Sequence, residues 1–384
     1  MYIRRQIEES VIKSLQSNPV VALIGPRQCG KSTLVKHILV NYPESIYLDL
    51  ERTSDRHKLD DAEWFLSTQK AKLICIDEVQ RKPDLFPLIR SLVDEWGKNG
   101  SFLILGSASR DLLQQSSESL AGRINYKRLT PFLWKELEGK FSIEKYFSQG
   151  AFPRSILSTD AEVSFEWREN FISTFLERDL LLWRGFTTTT MRRLWQMLAH
   201  VNGQTVDYST LAKSLGVSSV TVKSYIDLLE STFMVEVIPA YISNLGKRLV
   251  KAPKVYISDS GIIAALLGLR NFEEISGHPS IGAIWEQIVL SNLKGLFPEA
   301  TFYFYRTSNG AEVDFVVKIK NIVFAIECKS NYSPTLSKGN YNAIEDIAPK
   351  HVFVVSPIVK GWQMKQGIDL VSLNELYEKI KELI

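Results

Sequence analysis

Apolar runs alternate with helix-periodic stretches over roughly the first 130 residues. The runs are continuous, as in strands that are covered on both faces, whereas half-exposed strands alternate apolar and polar residues. The predicted strands are 19–25, 45–50, 72–76 and 101–105, and the predicted helices between them include 31–40 and 85–96. This order predicts a parallel sheet with crossover helices.

The middle of the chain has a different, mainly helical pattern. A long helix is predicted at 162–182, and three short helices follow at 191–201, 208–215 and 218–231. Gly216 can end one short helix and Ser218 can cap the next, which is the spacing of a helix-turn-helix. Strand-like segments at 233–238 and 254–257 predict a β-ribbon wing after it.

Near the C-terminus, two segments alternate polar and apolar residues with a period of two. They are 311–319 and 321–329, and we expect Lys320-Asn321 to be the hairpin turn between them, with Asn321 suited to a positive φ. A helix precedes them, and a strand at 352–355 and a terminal helix follow. The whole pattern predicts a multidomain α/β protein with domains at 1–155, 156–270 and 271–384.

Composition fits a folded chain of 384 residues, with 45% hydrophobic and 23% charged residues. No apolar run approaches the roughly 18 residues of a membrane span, and the first residues lack the apolar stretch of a secretory signal. We therefore expect a cytoplasmic protein without a membrane partner. Its three cysteines are too dispersed for a disulfide framework or a CxxC metal site.

The segment Gly25-Pro-Arg-Gln-Cys-Gly-Lys-Ser32 fits the P-loop pattern, between a predicted strand and a predicted helix. Two glycines let the backbone curl so that its N–H groups face phosphates at a helix N-terminus. Lys31 is expected to reach the β and γ phosphates, and Ser32 to bind Mg²⁺. The residues expected to contact ATP are Gly25, Pro26, Arg27, Gln28, Cys29, Gly30, Lys31, Ser32 and Thr33.

Two further strands end in polar residues that suit the same site. The strand before Asp77 and Glu78 predicts a Mg²⁺ ligand followed by a general base for the attacking water. Ser107 follows the next strand and is expected to sense the γ phosphate, with a simple helix cap as the alternative.

Phosphoryl transfer also calls for an arginine that stabilises the transition state. Arg123 is the candidate that we assign to this role, and Arg110 and Arg178 are alternatives. Each of them can instead be a surface arginine in an ion pair. If the arginine acts in trans, the protein must self-associate.

The C-terminal hairpin gathers charged residues on one face. With Lys320-Asn321 as the turn, Asp314 lies opposite Glu327 and Glu312 lies opposite Lys329. Adjacent carboxylates at Asp314 and Glu327 predict a Mg²⁺ site, where Lys329 would orient or activate the water that attacks a phosphodiester. The alternative is a solvated face with a Glu312–Lys329 ion pair.

A local positive charge marks the middle of the chain, since residues 183–254 hold nine Lys or Arg against four Asp or Glu. The basic residues on or after the proposed recognition helix predict a phosphate-binding surface for DNA. They are Lys213, Lys223, Lys247, Arg248, Lys251 and Lys254, with Ser218, Ser219 and Thr221 able to face a groove. The alternative is a structural winged helix that packs on the first domain.

Together these motifs resemble a bacterial and archaeal family of AAA-type ATPases with a C-terminal region long catalogued as a domain of unknown function. The segments that carry the resemblance are 25–32, 73–80, 106–109, 120–123, 150–153, 311–315 and 325–329. The resemblance implies an ATPase core, a winged helix-turn-helix and an α/β C-terminal domain similar to PD-(D/E)xK (restriction-endonuclease-like) nucleases. In that nuclease pattern Glu286, Asp314, Glu327 and Lys329 correspond to the helix acid, the two metal carboxylates and the lysine.

The sequence thus predicts a Mg²⁺-dependent ATPase that binds DNA, branched DNA included, and in which the nucleotide state controls a nuclease-like domain. Deoxyribonuclease activity of that domain is a further expectation. Two alternatives remain open: a signalling or regulatory switch with an inactive nuclease scaffold, and an ATP-dependent transcription regulator.

Overall fold

A five-stranded parallel sheet forms the centre of the N-terminal part of the protein, which we describe from a computed structural model covering residues 2–107, 119–178, 187–242 and 249–384. The strand order is β2-β3-β4-β1-β5. The strands are β1 (Val20–Ile24), β2 (Ile46–Asp49), β3 (Ile74–Asp77), β4 (Phe102–Gly106) and β5 (Ile124–Arg128). The helices of this part are α1 (Glu8–Ser17), α2 (Lys31–Leu39), α3 (Thr53–His57), α4 (Ala62–Ser67) and α5 (Leu85–Trp96).

The predicted strands of this sheet are confirmed. Every residue of β1, β3 and β4 is buried, as expected for continuous apolar runs in the middle of a parallel sheet. The edge strand β5 was not predicted, because Ile-Asn-Tyr-Lys-Arg has no apolar run and all five residues are only partly buried. Since all pairings are parallel, β1, β3 and β4 end at the same edge of the sheet.

The chain folds into two compact units. The first comprises Met1–Phe132 and Ser231–Phe233, and the second comprises Leu133–Glu230 and Met234–Ile384. The predicted domain boundaries at 155 and 270 remain predictions. Helices of the second unit are α6 (Trp134–Leu137), α7 (Ile143–Gln149), α8 (Pro153–Ile156), α9 (Ala161–Arg178), α10 (Thr188–His200), α11 (Tyr208–Leu215), α12 (Ser219–Ser231), α13 (Ser260–Leu267), α14 (Phe272–Ser276), α15 (Ile281–Leu296), α16 (Lys338–Ile347) and α17 (Leu373–Leu383).

A six-stranded mixed sheet lies in the second unit, with the order β12-β13-β11-β10-β9-β8. Its strands are β8 (Thr301–Arg306), β9 (Glu312–Ile319), β10 (Ile322–Cys328), β11 (His351–Val355), β12 (Trp362–Lys365) and β13 (Ile368–Val371). The predicted hairpin register is confirmed for β9 and β10, from Ile319 paired with Ile322 to Phe315 paired with Ile326. The left-handed turn residue is Lys320, with φ of 53°, and the expectation of a positive φ at Asn321 was wrong.

The three short helices of the middle region are confirmed as α10, α11 and α12. Gly216 ends α11 in a left-handed conformation, with φ of 68°. The Ser218 hydroxyl accepts a hydrogen bond of 3.0 Å from the Thr221 backbone N–H at the start of α12. The glycine stop and the serine cap therefore lie where the sequence placed them.

The predicted β-ribbon forms from β6 (Val235–Ile238) and β7 (Lys254–Ile257), which pair in antiparallel register. It is not an exposed wing over its length, because all four residues of β7 are buried. The chain after β6 also follows the edge of the second sheet, since the Tyr241 N–H donates a 2.7 Å hydrogen bond to the Phe304 carbonyl of β8. An edge strand is thereby covered.

Gly150, in the segment 150–153, turns tightly against the start of α13. The Asp259 carboxylate caps α13 by accepting from the Ile262 N–H and also accepts a 2.7 Å hydrogen bond from the Ala151 N–H. Gly150 has φ of +71°, and a Cβ there would lie 2.2 Å from Asp259 Oδ1. The close approach of the Asp259 carboxylate therefore explains why a glycine stands at position 150.

Across the described residues, no helix is both long and apolar enough to span a bilayer.

Gly150→Ala should lower the free energy of unfolding by at least about 2 kcal/mol more than Gly268→Ala does. Gly268 is a matched control, because its φ is +74° but a Cβ there would meet nothing within 4 Å. Both variants carry the left-handed strain, and only Gly150→Ala adds the collision with Asp259. Urea denaturation of the three proteins measures the difference, and equal losses would refute the close-approach explanation.

Candidate nucleotide site and carboxylate cluster

The P-loop curls at the carboxyl end of β1. Gly25 has φ of +156°, and a Cβ there would lie 2.1 Å from the Leu129 carbonyl oxygen, so only glycine fits. Gly30 is left-handed, with φ of 102°, at the N-terminus of α2. The buried Cys29 lies between them and directs its thiol towards the same Leu129 carbonyl, at 3.6 Å.

Lys31 and Ser32 occupy the first turn of α2. The Lys31 ammonium is buried and donates hydrogen bonds of 2.9 Å to the carbonyls of Gly25 and Pro26. The Ser32 hydroxyl donates a 2.7 Å hydrogen bond to the Asp77 carboxylate at the end of β3. The structure thus brings together the predicted phosphate-binding lysine, the hydroxyl and the aspartate.

Tyr47 is a member of this site that the sequence reasoning missed. Its hydroxyl donates to the same Asp77 oxygen that accepts from Ser32. The other Asp77 oxygen accepts from the Glu78 N–H at 3.0 Å. Burial, followed by the hydrogen bond to Asp77, raises the pKa of Tyr47, so the phenol stays a donor. Tyr47 lies in β2, which pairs with β3, so its place beside Asp77 follows from the order of the strands in the sheet.

Gln80 connects two predicted catalytic residues. Its amide nitrogen donates to the Glu78 carboxylate and lies 3.3 Å from the Ser107 hydroxyl. Glu78 is left-handed, with φ of 55°, and burial raises the pKa of its carboxyl group above the usual value. Ser107 directly follows β4, so the predicted sensor and the predicted base lie at the same edge of the sheet.

These residues fit a Mg²⁺–nucleotide ligand. Mg²⁺ prefers hard oxygen ligands and usually keeps several waters. The Ser32 hydroxyl and the Asp77 carboxylate are 2.7 Å apart and supply oxygens of that kind beside the curled backbone. The helix N-terminus and the buried Lys31 supply the positive potential that phosphates need.

Arg123, the predicted arginine finger, lies at the wrong edge of the sheet for its own nucleotide site. It precedes β5, and its neighbour Ile124 pairs with Val20 at the start of β1, the opposite end from the P-loop. Its guanidinium is bound to the Asp94 carboxylate of α5, with one N–O distance of 2.9 Å. The prediction that Arg123 serves the nucleotide site of its own chain is therefore wrong. A role at the nucleotide site of another copy stays a prediction. Arg110 and the side chain of Arg178 lie outside the described residues.

The C-terminal hairpin brings its predicted acids together in a buried cluster. The side chains of Asp314 and Glu327 are buried, and Asp314 accepts a 2.8 Å hydrogen bond from the Cys328 N–H. Lys329 donates to Glu327 at 2.7 Å, so the expected alternative of a Glu312–Lys329 pair is not what forms. The second oxygen of Glu327, Oε2, is buried without a hydrogen-bond partner.

Lys254 enters this cluster from β7, and its assignment to a phosphate-binding surface was wrong. Only 4% of its side chain is exposed, and its ammonium lies 3.1 Å from Glu312, 3.7 Å from Asp314 and 3.8 Å from Glu286. Burial alone would lower the pKa of Lys254, but these three carboxylates outweigh it and raise the pKa, so the ammonium stays charged.

Glu286 of α15 joins the cluster as predicted. Its carboxylate accepts a 2.7 Å hydrogen bond from the Tyr256 hydroxyl, two residues after Lys254 on β7. Successive odd or even positions of a strand share a face, so Lys254 and Tyr256 point the same way. Burial, followed by repulsion from Asp314, raises the pKa of both Glu286 and Glu327.

The cluster as it stands does not fit the predicted Mg²⁺ ion. Among the residues that the structure describes, no group of three or more His, Cys, Asp or Glu side chains is arranged to hold a metal. The Lys254 ammonium lies among the oxygens that a divalent cation would need. The assignment of Asp314 and Glu327 as metal ligands therefore remains a prediction without structural support.

The remaining basic residues of the middle region divide into two groups. Lys213 on α11, Lys223 on α12 and Lys251 are exposed, together with the capping residue Ser218 and its neighbour Ser219. Lys247 and Arg248 lie outside the described residues. Among the described residues, Lys254 is thus the one predicted phosphate contact that burial removes from this surface.

Three family models match successive parts of the chain. An AAA domain matches residues 17–138, and two domains of unknown function match residues 140–273 (DUF8612) and 281–376 (DUF4143). The uncharacterized protein Rv2008c of Mycobacterium tuberculosis is 38% identical over 355 residues, and the similarity covers 92% of this chain and 80% of that protein. The uncharacterized protein Mb2031c of Mycobacterium bovis gives the same values.

Solved structures also resemble the chain at low sequence identity. The Walker-type ATPase PABY2304 of Pyrococcus abyssi is 13% identical with a TM-score of 0.48, covering 69% of this chain and 96% of that one. AMPPCP-bound DnaA of Aquifex aeolicus is 13% identical with a TM-score of 0.29, covering 59% and 86%.

Arg123→Ala should leave the ATPase rate within about threefold of the unchanged protein, because Asp94 holds the side chain at the far edge of the sheet. The measurement is kcat at saturating Mg²⁺–ATP, with Asp94→Ala as the control that removes the same ion pair. A loss of about 10³-fold in Arg123→Ala alone would show that the arginine acts on the nucleotide of another copy.

Proposed function

The chain belongs to the same family as the uncharacterized protein Rv2008c of Mycobacterium tuberculosis, and its residues 17–138 match an AAA domain. We propose that it hydrolyses ATP with Mg²⁺ at the P-loop edge of its parallel sheet. The observation that carries this proposal is the 2.7 Å hydrogen bond between Ser32 and Asp77 beside the buried Lys31. Lys31 and Ser32 at the N-terminus of α2 and Asp77 at the end of β3 are the groups that a P-loop ATPase uses to bind phosphates and Mg²⁺.

Each residue then has a separate part in hydrolysis. Lys31 exchanges its two loop carbonyls for phosphate oxygens, and Ser32 with Asp77 holds the cation that neutralises charge on the phosphates. Glu78 accepts a proton from the attacking water, and Ser107 contacts the γ phosphate. Gln80 holds Glu78 beside Ser107 and so positions the base.

Glu78→Gln should lower kcat for ATP hydrolysis by at least about 100-fold while ATP binding persists. The amide keeps the size of the side chain but cannot take the proton. Lys31→Ala should instead abolish measurable binding, because the phosphates lose their cation. Steady-state kinetics and fluorescent-nucleotide titration separate the two effects. Full activity in Glu78→Gln would remove this residue from the mechanism.

For the second unit we propose DNA as the partner, branched DNA included. The support is the helix pair α11 and α12, whose glycine stop and serine cap follow the spacing of a helix-turn-helix and leave polar residues exposed. Lys213 and Lys223 are its exposed lysines and would contact phosphates. Under this proposal, the nucleotide state of the ATPase controls how the C-terminal domain engages DNA.

Lys213→Ala/Lys223→Ala should weaken binding to linear, forked and four-way DNA and lower the slope of log affinity against log salt by about 2. The slope falls because each of the two lysines would neutralise one phosphate. Fluorescence anisotropy at several salt concentrations measures the slope, and Lys360→Ala, an exposed lysine outside the helix pair, is the control. An unchanged slope would reject this helix pair as the DNA-binding surface.

The Lys254 contacts favour a second candidate function. The carboxylates of Glu286, Glu312 and Asp314 are ion-paired to this lysine, as in a structural ion-pair network. On this view the protein is an ATP-driven signalling or regulatory switch, and the C-terminal domain is a scaffold. Asp314→Ala would then leave biological function intact while Lys31→Ala abolishes it.

A further inference from the structure

We propose that Lys254 is a tethered cation that keeps divalent metal ions out of the carboxylate cluster of Glu286, Asp314 and Glu327. This proposal concerns the second unit alone and does not rest on ATP hydrolysis. Lys254 would keep this cluster free of metal for as long as β7 stays packed against it.

The geometry of the lysine carries the argument. Its ammonium lies within 3.1–3.8 Å of carboxylate oxygens from Glu312, Asp314 and Glu286, which come from β9 and α15. A cation at that point attracts the same oxygens that a metal would bind. A divalent ion beside it would meet a fixed positive charge in a buried setting, where repulsion is strong.

The lysine is also held in place by its strand. Lys254 pairs in register with Ile238 of β6, and Tyr256, on the same face of β7, donates to Glu286. A buried ammonium needs several partners to offset lost hydration, and three carboxylates meet that need. Lys254 is therefore part of the folded core of the unit.

The cluster nevertheless keeps features of a ligand site. Glu327 Oε2 is buried without a hydrogen-bond partner, and the Asp314 oxygen nearest to Lys254 has its ion pair at 3.7 Å, beyond hydrogen-bond distance. A buried oxygen without a donor, such as Glu327 Oε2, is costly and suits a hard cation. Removing the ammonium leaves these oxygens beside Glu286. Among the described residues, the ion pairs that remain here are Lys329 with Glu327 and Arg306 with Glu312, the latter at 3.6 Å.

The test measures how many Mn²⁺ ions each protein binds in the absence of nucleotide, with the free ion quantified by electron paramagnetic resonance. Lys254→Met removes the charge and keeps much of the length of the side chain, and Lys254→Arg keeps the charge. Each protein is compared with its Asp314→Asn counterpart, so that any Mn²⁺ bound at the P-loop cancels.

We expect Lys254→Met to bind one Mn²⁺ more than its Asp314→Asn counterpart. The unchanged protein and Lys254→Arg should show no such difference. An Asp314-dependent Mn²⁺ in the unchanged protein, bound as tightly as in Lys254→Met, would overturn the proposal. So would a folded Lys254→Met protein without the additional ion.

Thermal unfolding is a second measurement, which stays informative if Lys254→Met is less stable than the unchanged protein. Lys254→Met should unfold at a lower temperature in EDTA and regain several degrees in excess Mn²⁺, because the metal replaces the missing cation and binds only the folded state. The unchanged protein should gain no more from Mn²⁺ than its Asp314→Asn counterpart does, because any ion at the P-loop is common to both. A Lys254→Met chain that Mn²⁺ neither stabilises nor refolds would contradict the proposal.

Discussion

The hydrogen bond between the Ser32 hydroxyl and the Asp77 carboxylate is the contact on which the proposed nucleotide site depends. It joins the start of α2 to the end of β3, and it exists because parallel strands bring their carboxyl ends to one edge of the sheet. Lys31, Glu78 and Ser107 reach the same edge for the same reason. The sheet therefore determines the site, and side-chain chemistry determines what the site can do.

Two clusters of buried charge in this chain are balanced in different ways. In the first unit, Asp77 is satisfied by neutral donors, the hydroxyls of Ser32 and Tyr47, which leaves its negative charge available to a cation. In the second unit, the negative charge of the hairpin acids already faces the ammonium of Lys254. The first arrangement suits an exchangeable metal and the second suits a fixed ion-pair network.

Sequence reasoning predicted the local elements well where one physical rule decided them. The buried strands of the first sheet, the caps of α11 and α12 and the β9–β10 register follow from apolar runs, glycine and serine chemistry and the two-residue turn. It failed where the outcome depended on tertiary partners. Arg123 lay in a plausible segment, but the register of β5 with β1 placed it beside Asp94 at the other edge. Lys254 was counted as a surface charge because nothing local showed that β7 packs against α15 and β9.

Joint binding of ATP and Mg²⁺ at Ser32 and Asp77 can be measured by calorimetric titration of ATP into the protein with Mg²⁺ and with EDTA, and into Asp77→Asn with Mg²⁺. We expect binding with Mg²⁺ that weakens by at least about tenfold either when the metal is chelated or when the aspartate is neutralised. Equal affinities in all three titrations, or no heat of binding to the folded protein with Mg²⁺, would contradict this expectation.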